Sequence, residues 1–229
     1  KADEFNEKSK EYDQLIGSAN LYNSKADEQI ADFKEKGACT FISKGNKENI
    51  FGKFGGWGRD GDKNFVLKLP DAINLINNIS TPPIGNITDV EKALGFPPGG
   101  LGNTDDEFSL FIPKDLTKLE LPSGQEGSAF SSNWMAGGST ELQEEKTKDG
   151  IIKYTGGLQE AVIESIRGTE DEIYEQIEEV RIKFDSELGA MCCFTKEGEI
   201  DPTEESWTPI NETIQVEENG NVKFMDNIS

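Results

Sequence analysis

The first 37 residues carry apolar side chains at helical spacing on an otherwise charged background. The apolar positions fall on one face over residues 5–16, and again over residues 22–33 after Gly17 and Ser18. A stripe with a period of three to four residues is typical of an amphipathic helix, so the pattern predicts a helical hairpin that ends near Gly37. We expect residues 1–37 to be a helical lead-in that either joins an upstream body or packs on its own domain.

Short apolar runs bounded by turn residues follow this lead-in and predict strands. The predicted strands span residues 39–42, 65–69, 109–113, 151–154 and 161–163. Between them, residues 71–79 and 89–96 have the pattern of short helices, and the second precedes the turn sequence Pro97-Pro98-Gly99-Gly100. We therefore expect an α+β core domain over residues 38–189, with a small mixed or antiparallel sheet and long glycine-rich loops.

The strongest helical pattern lies near the end of this core. Thr169 and Glu172 form a capping-box motif, and apolar residues recur three to four positions apart until Gly189. These apolar positions are Ile173, Ile177, Val180, Phe184 and Leu188. The pattern predicts one long helix over residues 169–188. Beyond it, apolar runs at 191–195, 213–216 and 222–225 predict a small β appendage over residues 190–229.

The charge balance limits the classes of partner. The chain has 44 acidic against 23 basic residues, a formal net charge of −21. Such a field repels phosphate backbones and disfavours anionic membrane surfaces, so we expect no nucleic-acid partner. No apolar run reaches the ~20 residues of a membrane span. A small ligand or a basic partner protein remains open, and so does the simpler interpretation that the acidity serves solubility.

The sequence contains no histidine, which excludes Ser-His-Asp, Cys-His and HExxH chemistry. It also lacks the phosphate-binding loop GxxxxGK[ST] and a GxGxxG turn after a strand. The cysteines are Cys39 and the adjacent Cys192 and Cys193, with no CxxC spacing for zinc. We expect buried free thiols and no metal site, and a bridge from Cys39 to either of the pair is the alternative.

A glycine-dense loop at residues 55–61 places Trp57 close to Arg59. Flexible backbone allows close approach to a ligand, while an indole ring can stack on a planar base and a guanidinium can clamp a pyrophosphate. Both residues are therefore candidate substrate-binding residues. The alternative is a turn with a partly buried Trp57 and an ion-paired Arg59.

Four sequence motifs in the middle of the chain resemble a pattern that recurs in one family of bacterial proteins. They are VEKALGF, LPSGQEGSA, NWMAGGST and GGLQEAVI, which together lie within residues 89–163. This stretch resembles the C-terminal toxin domains of bacterial polymorphic toxins of the Rhs and haemagglutinin type. The sequence departs from that pattern at Gln125 and Gln159, where Asn and Pro are expected, and in the charged insertion at residues 141–149.

The resemblance implies a secreted or delivered effector at the end of a larger parent polypeptide or delivery assembly, with a possible immunity protein as partner. The start at Lys1 rather than Met agrees with this expectation.

The resemblance also implies a toxin that acts on NAD as substrate and needs no cofactor. A carboxylate can stabilise the oxocarbenium-like centre of N-glycosidic cleavage, as an ADP-ribosyltransferase or glycohydrolase requires. Glu160 and Glu126 are the candidate catalytic residues, unless they are ordinary surface or turn residues. Asn133 and Trp134 join Trp57 and Arg59 as candidate substrate-binding residues.

Three hypotheses about function follow. The first is this NAD-directed toxin, which requires Glu160, Glu126, Trp57 and Arg59 to converge on one cleft. The second is a non-enzymatic acidic module, of the immunity or interaction type, that binds a basic protein through a cluster of exposed carboxylates. The third is a structural domain of a larger surface assembly, which docks through residues 1–36.

Overall fold

The architecture comes from a computed structural model, which describes residues 26–58, 63–81, 84–94, 107–122, 143–147, 150–154, 158–195 and 206–225. Its helices are α1 (26–36), α2 (Lys44–Glu48), α3 (Leu69–Ile79), α4 (Ile87–Ala93), α5 (Glu170–Gln176) and α6 (Ile210–Thr213), and a π-helical turn spans Asn49–Phe54. Its strands are β1 (Ala38–Ser43), β2 (Gly56–Trp57), β3 (Lys63–Lys68), β4 (Glu107–Pro113), β5 (Gln143–Thr147), β6 (Gly150–Tyr154), β7 (Glu160–Glu164), β8 (Ile166–Arg167), β9 (Ile177–Asp185), β10 (Gly189–Thr195), β11 (Thr208–Pro209), β12 (Ile214–Val216) and β13 (Val222–Phe224).

A seven-stranded sheet organises the molecule, in the order β11-β10-β9-β4-β1-β3-β7. Each neighbouring pair is antiparallel. Three further two-stranded sheets are formed by β2 with β8, β5 with β6, and β12 with β13. The predicted α+β class and antiparallel sheet are confirmed.

Each face of the sheet has its own apolar core, because successive side chains of a strand point to opposite faces. In β1, Cys39 and Phe41 belong to the first core cluster, whereas Ala38 and Ile42 belong to the second. The first cluster contains Cys39, Phe41, Leu67, Leu69, Ala72, Ile73, Ile76, Ile87, Val90, Leu94, Phe108, Leu110, Ile112, Val180, Ile182, Ala190, Cys192, Ile210 and Ile214. The second contains Phe33, Ala38, Ile42, Ile50, Trp57, Val66, Phe111, Leu119, Ala161, Ile163, Ile173 and Ile177. Helices α3 and α4 thus cover one face, and α1 and α5 cover the other.

Helix α1 packs against the sheet of its own domain. Phe33 is fully buried in the second core cluster, and Asp32 forms an ion pair with Lys68 of β3 at 2.6 Å. The helix ends at Gly37, whose positive φ of 84° lies in the region that favours glycine. Residues 1–25 lie outside the described residues, so the predicted hairpin stays a prediction for its first half.

The predicted long helix over residues 169–188 is wrong. The capping box of Thr169 and Glu172 begins a helix as expected, but that helix ends at Gln176 and the chain continues as β9. Strand β9 pairs with β4 on one side and with β10 on the other. Its buried residues Val180 and Ile182 alternate with charged ones, which is the period of a strand. The apolar residues Ile173, Ile177, Val180 and Phe184 are also three to four positions apart, so the same stretch of sequence fits the period of a helix.

The C-terminal segments extend the main sheet and then cover one of its faces. Strand β10 lies between β9 and β11. The predicted boundary between the core domain and the β appendage, after residue 189, therefore falls within the β9–β10 hairpin. Ile210 and Ile214 are buried in the first core cluster. The hairpin β12–β13 that follows matches the predicted strands at 213–216 and 222–225.

The cysteines are three buried free thiols, as expected. Cys39 in β1 and Cys192 in β10 are separated by β4 and β9, a distance of roughly 14 Å at the usual strand spacing. A disulfide needs Cα atoms within about 7 Å, so Cys39 cannot bridge to Cys192 or to its neighbour Cys193. Burial raises the pKa of the Cys39 and Cys192 thiols, which keeps both protonated.

Alanine substitutions at Ile182 and Leu188 test whether this part of the chain forms the observed strand and turn or the predicted long helix. In a helix Ile182 would lie about 180° from Ile173, on the polar side, and Leu188 would be buried. In the structure, Ile182 of β9 is fully buried, whereas Leu188, in the turn before β10, is 61% exposed. We expect Ile182→Ala to lower the free energy of unfolding by about 2–5 kcal/mol and Leu188→Ala to change it by less than about 0.5 kcal/mol, in urea titrations. The reverse order of effects would contradict the strand.

Candidate functional site

Trp57, one of the predicted substrate-binding residues, lies in the core. It is 4% exposed and belongs to the second core cluster, where its ring meets that of Phe111 edge to face at 5.8 Å. A ring in this position contributes to packing and presents no open face for stacking on a ligand. Trp57 lies in the short strand β2 with its ring in the core, a placement that differs both from an open stacking position and from a partly buried residue in a turn.

Glu160 begins β7 and is half-buried, opposite Leu67 of β3. The next residue, Ala161, belongs with Ile163 to the core cluster that contains Trp57, whereas Leu67 belongs to the other cluster. Because side chains alternate along a strand, Glu160 and Trp57 lie on opposite faces of the sheet. The structure therefore does not bring these two predicted site residues together. The other four, Glu126, Arg59, Asn133 and Trp134, lie outside the described residues.

A buried polar network centres on Glu179 of β9, whose side chain is fully buried. Lys47 Nζ donates to its two carboxylate oxygens at 2.6 and 2.8 Å. The Ser109 hydroxyl donates to Oε1, and the Tyr174 hydroxyl donates to Oε2 at 2.7 Å. The donors come from α2, β4 and α5, so this carboxylate fixes two helices to the second face of the sheet.

The protonation of Tyr174 follows from this network. Burial, together with the neighbouring Glu179 carboxylate, raises the pKa of the Tyr174 hydroxyl well above its usual range. The phenol therefore stays neutral at physiological pH and remains a hydrogen-bond donor to Glu179. Phe51 stacks on its ring at a centroid distance of 5.2 Å. The network consists of groups that satisfy one another inside the core, which is the arrangement of a structural element.

A second ionic group lies farther along β9. Arg181 Nε donates to Glu107 of β4 at 2.8 Å, and the guanidinium carbon lies 5.9 Å from the centroid of the Trp207 ring. Lys183 Nζ lies 4.4 Å from the same ring. Both cations thus stabilise the packing of Trp207 against the sheet.

Sequence patterns did not point to Glu179 or Arg181. On the predicted helix Glu179 fell on the polar side and Arg181 at the edge of the apolar stripe, and a charged residue at either place needs no buried partner. The signal that was present is the strict alternation of apolar and charged residues from Glu179 to Phe184.

A groove of about 350 Å³ opens between three segments: residues 114–118, residues 163–166, and the end of α5. It is lined by Lys114, Asp115, Lys118, Ile163, Glu164, Ser165, Ile166, Glu175 and Gln176. Lys114 Nζ donates to the backbone carbonyls of Tyr174 and Glu175 at 3.1 and 3.2 Å. Across the groove, Lys118 pairs with Glu164 at 2.6 Å.

The outer surface of α5 is acidic. We call this the α5 acidic surface, and it consists of the exposed carboxylates Glu170, Asp171, Glu172 and Glu175. The inner side of the same segment buries Ile173 and Ile177 in the second core cluster. The segment is thus anchored on one side and carries negative charge on the other.

No family model matches the chain, and no curated protein matches its sequence. Within the described residues, no three Cys, Asp or Glu side chains are grouped so as to hold a metal ion. None of the described helices is both long enough and apolar enough to cross a bilayer.

Breaking the ion pair between Lys47 and Glu179 tests the buried network. We expect Lys47→Met to lower the free energy of unfolding by about 3 kcal/mol, because it leaves a buried carboxylate without its counter-charge. The double variant Lys47→Met/Glu179→Gln should lose less than the sum of the two single variants in urea titrations. Lys44→Met, at an exposed position of the same helix, is the matched control and should change stability by less than about 0.5 kcal/mol. Additive losses would contradict the coupling.

Proposed function

We propose that this chain is a non-enzymatic protein-binding module whose α5 acidic surface binds a basic partner protein. The observation that carries the proposal is the set of exposed carboxylates on α5, at Glu170, Asp171, Glu172 and Glu175, on a helix whose other side is buried. Opposite charge on a partner would complement this row across an interface.

The helix that carries the acidic surface is held in place by several contacts. This favours binding, because little conformational entropy is then lost on association. The capping box fixes the start of α5 at Thr169. The Tyr174 hydroxyl bond to Glu179 holds its middle, and Lys114 binds the carbonyls at its end. The carboxylates are thus presented from a fixed backbone.

The charge of the whole chain acts in the same direction. A formal net charge of −21 attracts cationic proteins over several ångströms and raises the rate of encounter. Solvent-exposed charges are screened by salt, so an interaction of this kind weakens as ionic strength rises.

The internal contacts of the described polar groups also favour binding over catalysis. Glu179 and Tyr174 satisfy each other in the core, and Arg181 is paired with Glu107. Trp57 is packed against Phe111, on the face opposite Glu160. Groups held in this way contribute to stability rather than to a reacting centre.

A pair of charge variants tests the acidic surface. One replaces Glu170, Asp171 and Glu175 by their amides, and leaves Glu172 because it belongs to the capping box. The control neutralises three exposed carboxylates elsewhere, at Asp27, Glu187 and Glu212, and so removes the same charge. With immobilised protein and extract of the source cells at about 0.05 M salt, we expect wild type and control to retain one basic protein. The α5 variant should bind it roughly tenfold to a hundredfold more weakly, since exposed pairs contribute up to about 1 kcal/mol each.

Two results would contradict this function. One is the recovery of no basic protein at low salt, and the other is an equal loss with the α5 variant and the control. Equal loss would mean that net charge alone, rather than this surface, attracts the bound protein.

The resemblance of residues 89–163 to polymorphic-toxin domains supports a second candidate, an effector that acts on NAD. Of its predicted catalytic residues, the structure describes Glu160, half-buried at the start of β7. The convergence of Trp57 with Glu160 that this hypothesis required is not met, because Trp57 is packed on the opposite face of the sheet, so the candidate relies on Glu160 and the resemblance without it.

Expression in a bacterial host separates the two candidates. If the chain is an NAD-directed toxin, its induction should arrest growth and lower cellular NAD, and Glu160→Gln should abolish both effects while the circular dichroism spectrum is unchanged. Unchanged NAD on induction of the wild type, or an active Glu160→Gln variant, would remove this candidate.

A further inference from the structure

The groove beside α5 points to a specific contact with the partner. We propose that this groove, between residues 114–118, residues 163–166 and the end of α5, receives an arginine side chain of the basic partner. The inference rests on the proposed function and names the part of the interface where one residue would be anchored. Arginine is among the residues that most often dominate the energy of an interface.

The volume of the groove admits one long side chain. It is about 350 Å³, at the lower end for ligand sites, and the half-buried Ile166 is among the lining residues. The methylene groups of an arginine would pack against Ile166, while its charged end stays near the polar rim.

The charges around the groove favour a cation. Carboxylates reach it from three different elements: Asp115 from the turn after β4, Glu164 from β7 and Glu175 from α5. The backbone carbonyls at the end of α5 already bind the Lys114 ammonium. Three carboxylates against two lysines leave a net negative charge at the rim, within a chain whose overall charge has the same sign.

The carboxylates are available to a new partner at little cost. The pair of Lys118 with Glu164 has both side chains more than 60% exposed, and pairs of this kind contribute little to stability. A guanidinium can therefore share or replace Lys118 at Glu164. Asp115 accepts a hydrogen bond from the Thr117 backbone N–H at 2.8 Å, which orients its carboxylate and lowers its pKa.

The arrangement favours arginine over lysine. A guanidinium is a planar fork with five donors and can contact two carboxylates at once, whereas an ammonium is a compact point charge. The carboxylates lie on separate walls of the groove, so the several N–H donors of one guanidinium can reach more than one of them. Glu175 belongs both to this groove and to the α5 acidic surface, so a partner that contacts the surface also lies over the groove.

Titration of the ¹⁵N-labelled protein with three capped tripeptides tests the inference. The probes are acetyl-Gly-Arg-Gly-amide, its lysine analogue and its norleucine analogue. We expect the arginine peptide to shift the amide signals of residues 114–118, 163–166 and 175–176, and to bind roughly threefold or more tightly than the lysine peptide. The norleucine peptide should leave these signals unchanged.

A matched pair of variants assigns the effect to the groove. Asp115→Asn/Glu164→Gln should weaken the arginine peptide about fivefold or more, and Glu187→Gln/Glu212→Gln, which removes the same charge, should not. The spectra themselves report whether each variant is folded. Shifts that lie outside the groove, or equal binding by the groove variant and wild type, would overturn the inference.

The failure of this inference is distinguishable from that of the proposed function. If the arginine peptide does not bind in the groove but the α5 variant still loses the basic partner, the arginine site is wrong and the binding module stands. If the peptide binds as expected while the α5 variant keeps the partner, the groove binds arginine but the α5 acidic surface is not the interface.

Discussion

The burial of a single carboxylate determines how the helices of this protein meet its sheet. Glu179 is enclosed on the interior strand β9 and accepts hydrogen bonds from Lys47, Ser109 and Tyr174. A buried charge is tolerated only where its counter-charge and donors are in place, so α2 and α5 have little freedom to shift. The positions of the groove and of the α5 acidic surface therefore depend on this one buried carboxylate, because both include residues of α5.

Local patterns predicted the parts of the fold that depend on local physics. The capping box at Thr169 and the short strands around Phe41, Leu67 and Leu110 are where apolar runs and caps placed them. Strand β9 was predicted as a helix because its apolar residues fit both a helical and a strand period, and the contacts that decide between the two come from distant partners. Lys47 lies 132 residues away from Glu179 in the sequence, and no local window registers that contact. Charged residues that look like a solvated helix face become buried once such partners exist.

The candidate site was predictable to a smaller extent. Trp57 lies among glycines, a context that suggests an open loop, yet Phe111 of a distant strand covers its ring. Glu160 begins a strand that was predicted over residues 161–163, but the face it occupies depends on the register with β3. The α5 acidic surface follows from the run of acidic residues after Thr169, whereas the groove required the meeting of three separate segments.

The order of the strands also determines when the molecule can fold. Strand β4 sits between β1 and β9 in the centre of the sheet, and its partner β9 is made some 70 residues later, as the contact of Ser109 with Glu179 records. Closing so long a loop is entropically costly and slows the pairing of strands. Until β9 emerges from the ribosome, β4 is an apolar edge strand open to pairing with other chains. A nascent chain of this design is thus most exposed to aggregation between the completion of β4 and the emergence of β9.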